Sequence, residues 1–378
     1  MLQIIIFFIS AFSMAFAHSA PLQCTESHCI AIVDAGSTGS RLHVYAYSLD
    51  TKNNPDQIEE IFSKKVQPGF ASLDLNQATI NHYLEALFNN PSFNNIPVYF
   101  YATAGMRLLP YQKQQAYYDK LGQWFISQTR WPLISAKTIK GTDEGLYGWL
   151  AVNYQLGTLT SNEQPLVGVM DTGGASVQVT FPITNPQSTV DDDHIDITIY
   201  DRKIQLFTHS FLGIGKNEIE HQFLDFSACF SNDYPLPNDS LGFGDVSLCT
   251  TAISPLINGV HHVDTTIKPV IKLNPVKTWY AIGGLGYMVQ TPPLTFPNDQ
   301  FTPKQLGEQA DNELCHQPWS TLTTQYPLSE YLSNACLDAS YFYTLLVNGY
   351  GLSPDQAVQY FPSDKNSNDW TLGVVLHH

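Results

Sequence analysis

The chain has 378 residues, 43% of them hydrophobic and only 14% charged. That length exceeds one core of ordinary size and predicts two domains, and the apolar share excludes a disordered chain. Eighteen Lys and Arg against 34 Asp and Glu leave a formal net charge of −16. Such a surface repels nucleic acid and anionic lipid, so any anionic ligand has to be received by a metal ion, by backbone N–H groups, or by both.

The N-terminus, residues 1–20, reads as a signal peptide. An apolar run from Leu2 to Phe16 leads into the small residues Ala15, Ala17, Ser19 and Ala20, and it is shorter than the roughly 20 apolar residues a membrane span requires. No Lys or Arg precedes the run, and no second run of spanning length follows. The expectation is a secreted or periplasmic mature protein, monomeric and without a membrane span. Six cysteines (Cys24, Cys29, Cys229, Cys249, Cys315 and Cys336) suit an exported chain with three disulfides. Six allow fifteen pairings; the expectation is neighbour pairing, 24 with 29, 229 with 249, and 315 with 336. No spacing matches a zinc site.

Residues Cys29 to Tyr47 (CIAIVDAGSTGSRLHVYAY) predict a β-hairpin with strands at Ile30–Val33 and Leu42–Tyr47 and a Gly/Ser/Thr tip. Asp34 closes the first strand. Pro97–Ala102 predicts another strand, which runs into Thr103-Ala104-Gly105, and Tyr111–Thr129 predicts a helix. In GTDEGLYGWL (141–150), Thr142 reads as a helix N-cap and Glu144 falls in the first turn. Pro165 to Phe181 (PLVGVMDTGGASVQVTF) repeats the first hairpin in the same order: apolar strand, Asp171, Gly/Ser turn, alternating strand. That echo suggests two related domains facing one another. Thr208 to Phe361 is rich in Pro, Asn and Asp and predicts long loops, with a strand and turn at Trp279–Met288 and a helix at Ala335–Leu346. The tail, Asp369–Leu376, reads as a turn and a strand. Asn238-Asp239-Ser240 is a glycosylation sequon.

The two hairpin tips, Ala35 to Arg41 and Thr172 to Ser176, have the composition of anion-binding nests. Each follows an aspartate, so Asp34 and Asp171 can hold one hard cation, Mg²⁺ or Ca²⁺, from opposite sides. A single such turn is an ordinary hairpin loop; two in one frame are not. Glu144 is the candidate base, although a glutamate there also suits the helix dipole alone.

Four segments, DAGSTGSR, ATAGMRLL, GTDEGLYGWLAVNY and MDTGGASVQVTF, resemble in order and spacing the apyrase family, the ecto-nucleoside triphosphate diphosphohydrolases. HSFLGIG (209–215), the stretch 335–350 and DWTLG (369–373) resemble later segments of that family. The resemblance implies an α/β, actin-like two-lobe fold, two ribonuclease-H-like domains with the nucleotide in the cleft between them. Lobe one would comprise 21–143 plus 362–378, and lobe two 144–361. It further implies divalent-metal-dependent hydrolysis of nucleoside triphosphates and diphosphates by direct water attack, with no phosphoenzyme. Glu144 would be the base, with Ser176 and Gln178 orienting the water. Asp34, Thr103, Asp171 and Trp370 would surround the metal, mostly through its water. Ser37, Thr38, Gly39, Gly173, Gly174 and Ala175 would line the phosphates, and Tyr350 would stack on the base. Arg107 reads as a structural ion pair rather than a phosphate ligand. The rivals are an actin-like exopolyphosphatase or guanosine-pentaphosphate phosphatase, a sugar or acetate kinase, and a non-catalytic nucleotide-binding protein.

Overall fold

The computed structural model describes Cys24 and residues 29–90, 93–127, 130–161, 163–186, 191–329, 331–362 and 369–377; the signal-peptide segment 1–20 lies outside them. Five strands, β1 (Cys29–Ala35), β2 (Ser40–Leu49), β3 (Pro55–Val66), β4 (Val98–Ala102) and β5 (Leu133–Thr138), form one sheet in the order β3-β2-β1-β4-β5. Seven more form a second: β6 (Gly168–Thr172), β7 (Ser176–Pro182), β8 (His194–Ile199), β9 (Arg202–Leu212), β10 (Trp279–Ile282), β11 (Gln300–Phe301) and β12 (Val358–Tyr360), in the order β11-β12-β10-β6-β7-β9-β8.

The echo of the two hairpins extends to the whole sheets. In the first, β1 is antiparallel to β2, β2 to β3, and β1 runs parallel to β4 and β4 to β5. In the second, β6 stands to β7, β9, β10 and β12 in the same senses. Strands β8 and β11 are additions at the two edges. The central parallel strands are apolar on both faces, as burial between two layers demands.

Strand alternation explains where the aspartates point. Ala31, Val33 and Ala35 of β1 pack into an outer core beneath the helices Gln77–Phe88 and Tyr111–Ser127, while Ile30 and Ile32 face a core between the sheets. Asp34 has the parity of Ile30 and Ile32, so it continues the row that faces the other sheet. In β6, Met170 packs outward and Val169 inward, so Asp171 likewise continues the inward row. The core between the sheets is filled by two helices, Gly141–Gln155 and Thr371–His377. They approach so closely at Gly373 that an added Cβ would lie 2.0 Å from Tyr147 O.

Several local expectations change. Between Thr208 and Phe361, where long loops were expected, helices such as Val246–Ser254, Val263–Leu273 and Pro303–Ala310 take up much of the chain. The tail is a helix, Thr371–His377, not a strand: a short apolar run reads the same in either state until its packing partner, here helix 141–155, is known. Thr142 is not the N-cap; the helix opens at Gly141 and the Asp143 carboxylate accepts from the Lys140 N–H (3.3 Å). After β10 the chain forms a short helix, Gly283–Met288, where a turn was expected. The expected neighbour disulfides Cys24–Cys29, Cys229–Cys249 and Cys315–Cys336 are all present. Among the described residues no helix is long and apolar enough to cross a membrane.

Candidate active site

The two hairpin turns meet. A Cβ on Gly174 would lie 2.4 Å from Ser37 Oγ, so the second turn presses its bare backbone against the first, 137 positions earlier in the chain. Ser37 is itself hemmed in on its own side, since a Cβ on Gly69 would lie 2.2 Å from Ser37 O and one on Gly105 2.9 Å from Ser37 Cα. Thr38, Gly173 and Gly174 line a cavity of about 700 Å³ between the sheets. Gly39 abuts Val66 O of the adjoining strand, and Ala175 is buried beneath the second turn, its N–H facing Gly215.

Glu144 is 6% exposed, in the first turn of helix 141–155. Its Oε2 is ion-paired with Arg107 and accepts from Gln178 Nε2 (3.3 Å). Gln178 Nε2 also reaches Ser176 Oγ (2.7 Å) and Ser210 Oγ (3.0 Å), and Arg107 Nη1 donates to Ser210 Oγ (3.2 Å). The strands dictate this grouping. Val177, Val179 and Phe181 of β7 point to the outer core, which leaves Ser176, Gln178 and Thr180 on the face that receives the helix. The helix can settle there because Gly141 and Gly145 carry no side chain: a Cβ on Gly141 would strike Ser210 Oγ at 2.2 Å, and one on Gly145 would strike Thr208 Oγ1 at 2.6 Å.

Four carboxylates share this neighbourhood. Burial pushes Asp34 well above its ordinary range, and Asp369 and Glu144 add to the rise. Burial likewise takes Asp171 up to about 8, with Glu144 and Asp369 adding. Burial raises Glu144 too, partly offset by Arg107. Burial opposes ionisation of Asp369 as well, but His43 beside it holds that carboxyl far below the usual range. Desolvation lowers His43, yet Asp369 (3.1 Å from Nε2) and Glu60 (2.6 Å from Nδ1) outweigh it and take the imidazole up to about 9.

The residues present suit a hard cation. Asp34 Oδ1 is buried with no donor, and mutual repulsion of the acids is what a divalent ion relieves. Among the described residues no three His, Cys, Asp or Glu side chains are arranged to ligate one ion, so a cation here would keep much of its water. Thr103 is buried at the end of β4, its N–H bonded to Ala35 O (3.2 Å). Trp370 stacks on Tyr147 with centroids 6.2 Å apart. It borders Asp171: a Cβ on Gly148 would lie 3.7 Å from Asp171 Oδ2 and 3.9 Å from Trp370 Cβ.

The family model for the GDA1/CD39 (nucleoside phosphatase) family matches residues 22–233 and 242–378. The chain belongs to that family. Members similar to it include ectonucleoside triphosphate diphosphohydrolase 1 of Rattus norvegicus, 27% identical over 98% of this chain and 84% of the relative. Another is ectonucleoside triphosphate diphosphohydrolase 3 of Homo sapiens, 26% identical over 91% and 77%. Among solved structures, the nucleoside triphosphate hydrolases from Neospora caninum superpose with a TM-score of 0.61 at 15% identity, covering 93% of this chain and 92% of that one. The Aquifex aeolicus Ppx/GppA family member gives 0.53, also at 15% identity, over 93% and 97%. These likenesses confirm the two-lobe actin-like fold.

Of the residues singled out in this GDA1/CD39 chain, Glu144, Ser176 and Gln178 are joined by hydrogen bonds through the Gln178 amide, and the two Gly-lined turns adjoin. Tyr350 does not join them. It is 2% exposed and packed in the outer core of the second sheet, with no ring face open to the cavity. Tyr287 and Tyr331 do line the cavity, their rings 5.5 Å apart and edge-on to one another. Ser210, Asp369 and His43 were also missed. The first two lie inside segments already singled out, HSFLGIG and DWTLG, and alternation along β9 from the inward-facing Leu206 would have placed Ser210.

Proposed function

We propose that this nucleoside phosphatase hydrolyses nucleoside triphosphates and diphosphates to monophosphates and phosphate by in-line attack of water, without a phosphoenzyme. The observation that carries the reading is the approach of Gly174 to Ser37 beside the Glu144–Gln178–Ser176 group. Backbone N–H groups of the two turns, with the Ser37 and Thr38 hydroxyls, receive phosphate oxygens. Glu144 accepts the proton of the attacking water, which Ser176 and Gln178 orient; such a base contributes roughly 10²–10⁴ in rate. Arg107 and Ser210 fix the Glu144 carboxylate and the Gln178 amide. Asp34 and Asp171, with Thr103 and Trp370 beside them, would hold Mg²⁺ or Ca²⁺, largely through water. When bound, the ion neutralises charge on the phosphoryl oxygens. Tyr287 and Tyr331 replace Tyr350 as the rings placed to stack a base, a contact that tolerates any base.

On this reading lobe one is 21–143 with 362–378 and lobe two is 144–361. Helices 141–155 and 371–377 then form the seam. Export to an oxidising compartment, secreted or periplasmic, accords with the three disulfides.

The decisive experiment is phosphate release from ATP, ADP and long-chain polyphosphate, with and without EDTA. Release from both nucleotides, abolished by EDTA and restored by Mg²⁺ or Ca²⁺, is expected. Release from polyphosphate alone would assign the site to an exopolyphosphatase, which shares the fold, and a trapped phosphoenzyme would overturn direct attack by water.

A further inference from the structure

Beyond the phosphate turns, the cavity has a polar wall that the hydrolytic chemistry does not use. Lys216 begins immediately beside the second turn, its N–H bonded to Gly173 O (3.0 Å). Its stem runs under Gly284, where a Cβ would lie 3.6 Å from Lys216 Cδ. The ammonium is ion-paired with Glu220 and lies 3.1 Å from Asp338 Oδ2 on helix Ala335–Tyr343. It also stands 5.3 Å from the centroid of Tyr331. Lys216, Gly284, Tyr287, Tyr331 and Asp338 line the same cavity as Gly173 and Gly174.

Two features set this cluster apart from an ordinary staple between helices. The ammonium has three N–H donors and two carboxylate partners, so one donor is left on the side of Tyr331. Asp338 Oδ1 is buried with no donor, in a residue only 2% exposed. Native interiors rarely leave such an oxygen unpaired. A lysine with two nearly buried carboxylates is costly to desolvate, and here it stands between the turn that receives phosphate and the rings placed to receive a base.

We propose that Lys216 recognises the nucleoside: its third N–H donates to an acceptor on the base or sugar of a nucleotide lying against Tyr287 and Tyr331, while Glu220 and Asp338 hold the ammonium in place. The inference rests on the nucleotide reading given above. It makes Lys216 a specificity-determining residue and Asp338 a positioning residue.

The test is calorimetric binding in the presence of Mg²⁺, wild type against Lys216→Met. The ligands are the imido analogues of ATP, GTP and UTP, the 2′,3′-dideoxy analogue of the first, and imidodiphosphate, which has no nucleoside. The nucleotide analogues should bind about tenfold more weakly to the variant than any loss seen with imidodiphosphate, because a hydrogen bond from a charged donor is removed. Lys216→Arg, which keeps a donor, should recover part of the loss, and Asp338→Asn should give a smaller loss of the same kind. If the acceptor is on the base, the wild-type ranking of ATP, GTP and UTP analogues flattens in Lys216→Met. If it is on the sugar, the difference between ribose and dideoxyribose does. Equal losses for nucleotide and imidodiphosphate, or no loss for either, overturn the proposal. A wild type that binds imidodiphosphate and no nucleotide refutes the nucleotide reading itself. Should Lys216→Met not fold, the same comparison with Asp338→Asn decides.

Discussion

The hairpins β1–β2 and β6–β7 have one architecture and different equipment. Opposite Asp34 in the register stands Arg41, and opposite Asp171 stands Gln178. The next inward position on the first hairpin is His43, paired with Glu60 and Asp369. On the second hairpin the inward row is Ser176, Gln178 and Thr180, bonded to Glu144, Ser210 and Thr208. The first lobe thus surrounds its aspartate with charge, and the second with neutral hydrogen-bonding groups around the candidate base. Duplicated backbone supplies two inward-facing aspartates and two Gly-lined turns, and different side chains face inward on each.

That division can be broken at several points. The largest effect is expected from reduction. Two of the disulfides, Cys229–Cys249 and Cys315–Cys336, lie in the core of the second lobe, and each typically contributes ~2–4 kcal/mol. Thiol treatment should lower the melting temperature, with near-ultraviolet dichroism of the second lobe lost first; an unmoved transition would mean that the bridges do not form. Next, Glu144→Gln should retain binding of a non-hydrolysed nucleotide and lose roughly 10²–10⁴ in kcat. Near-normal turnover would move the base elsewhere, and with it the functional contrast between the lobes.

A sharper comparison uses glycines. Gly174→Ala places a methyl 2.4 Å from Ser37 Oγ, whereas at Gly36 the nearest atom would be Gly39 O at 3.4 Å. The first substitution should separate the turns and cost about 10² in kcat/KM, the scale of a misplacement of about 1 Å, and the second should cost little. Equal effects would show that the turns do not act as one phosphate seat.

A last effect is expected on the pH dependence of stability without metal. Burial takes Asp171 and Asp338 up to about 8 and about 7 from 3.8 and raises Asp34 and Glu144, and, against desolvation, Asp369 and Glu60 take His43 from 6.5 up to about 9. In each case the folded form holds a proton that the unfolded chain releases first. The associated stability is complete below the unfolded pKa and is lost as pH rises through the folded one. Asp369 has the opposite sign, but its contribution is lost only below about pH 4. The melting temperature of EDTA-treated protein should therefore fall from pH 5 to pH 8, and Mg²⁺ should raise it more at pH 8. A flat or rising profile would contradict the crowding of carboxylates at the cleft.

Much of this was legible beforehand. Asp34, Asp171 and their turns stand out because strand, acid and small-residue tip recur in one order, and period-2 alternation fixes the face on which each acid lies. Glu144 falls in a helix's first turn by pattern, but its role comes from the family resemblance, and the pattern of six cysteines leaves fifteen pairings open. Tyr350, Asp369 and the tail helix were not legible. An aromatic ring at a helix end reads alike whether it faces core or cavity, and a seven-residue apolar run is compatible with either strand or helix.

By itself, the sequence determined the repeated hairpins, the acids that end their strands and the family to which the chain belongs, because each depends on neighbours a few residues away. Tertiary structure alone decided that Gly174 touches Ser37, that Arg107 and Ser210 hold Glu144 and Gln178, and that Tyr287 and Tyr331, not Tyr350, face the cleft. Those contacts join residues tens to hundreds of positions apart, and no local periodicity records which side chains meet once two sheets close over a pair of helices.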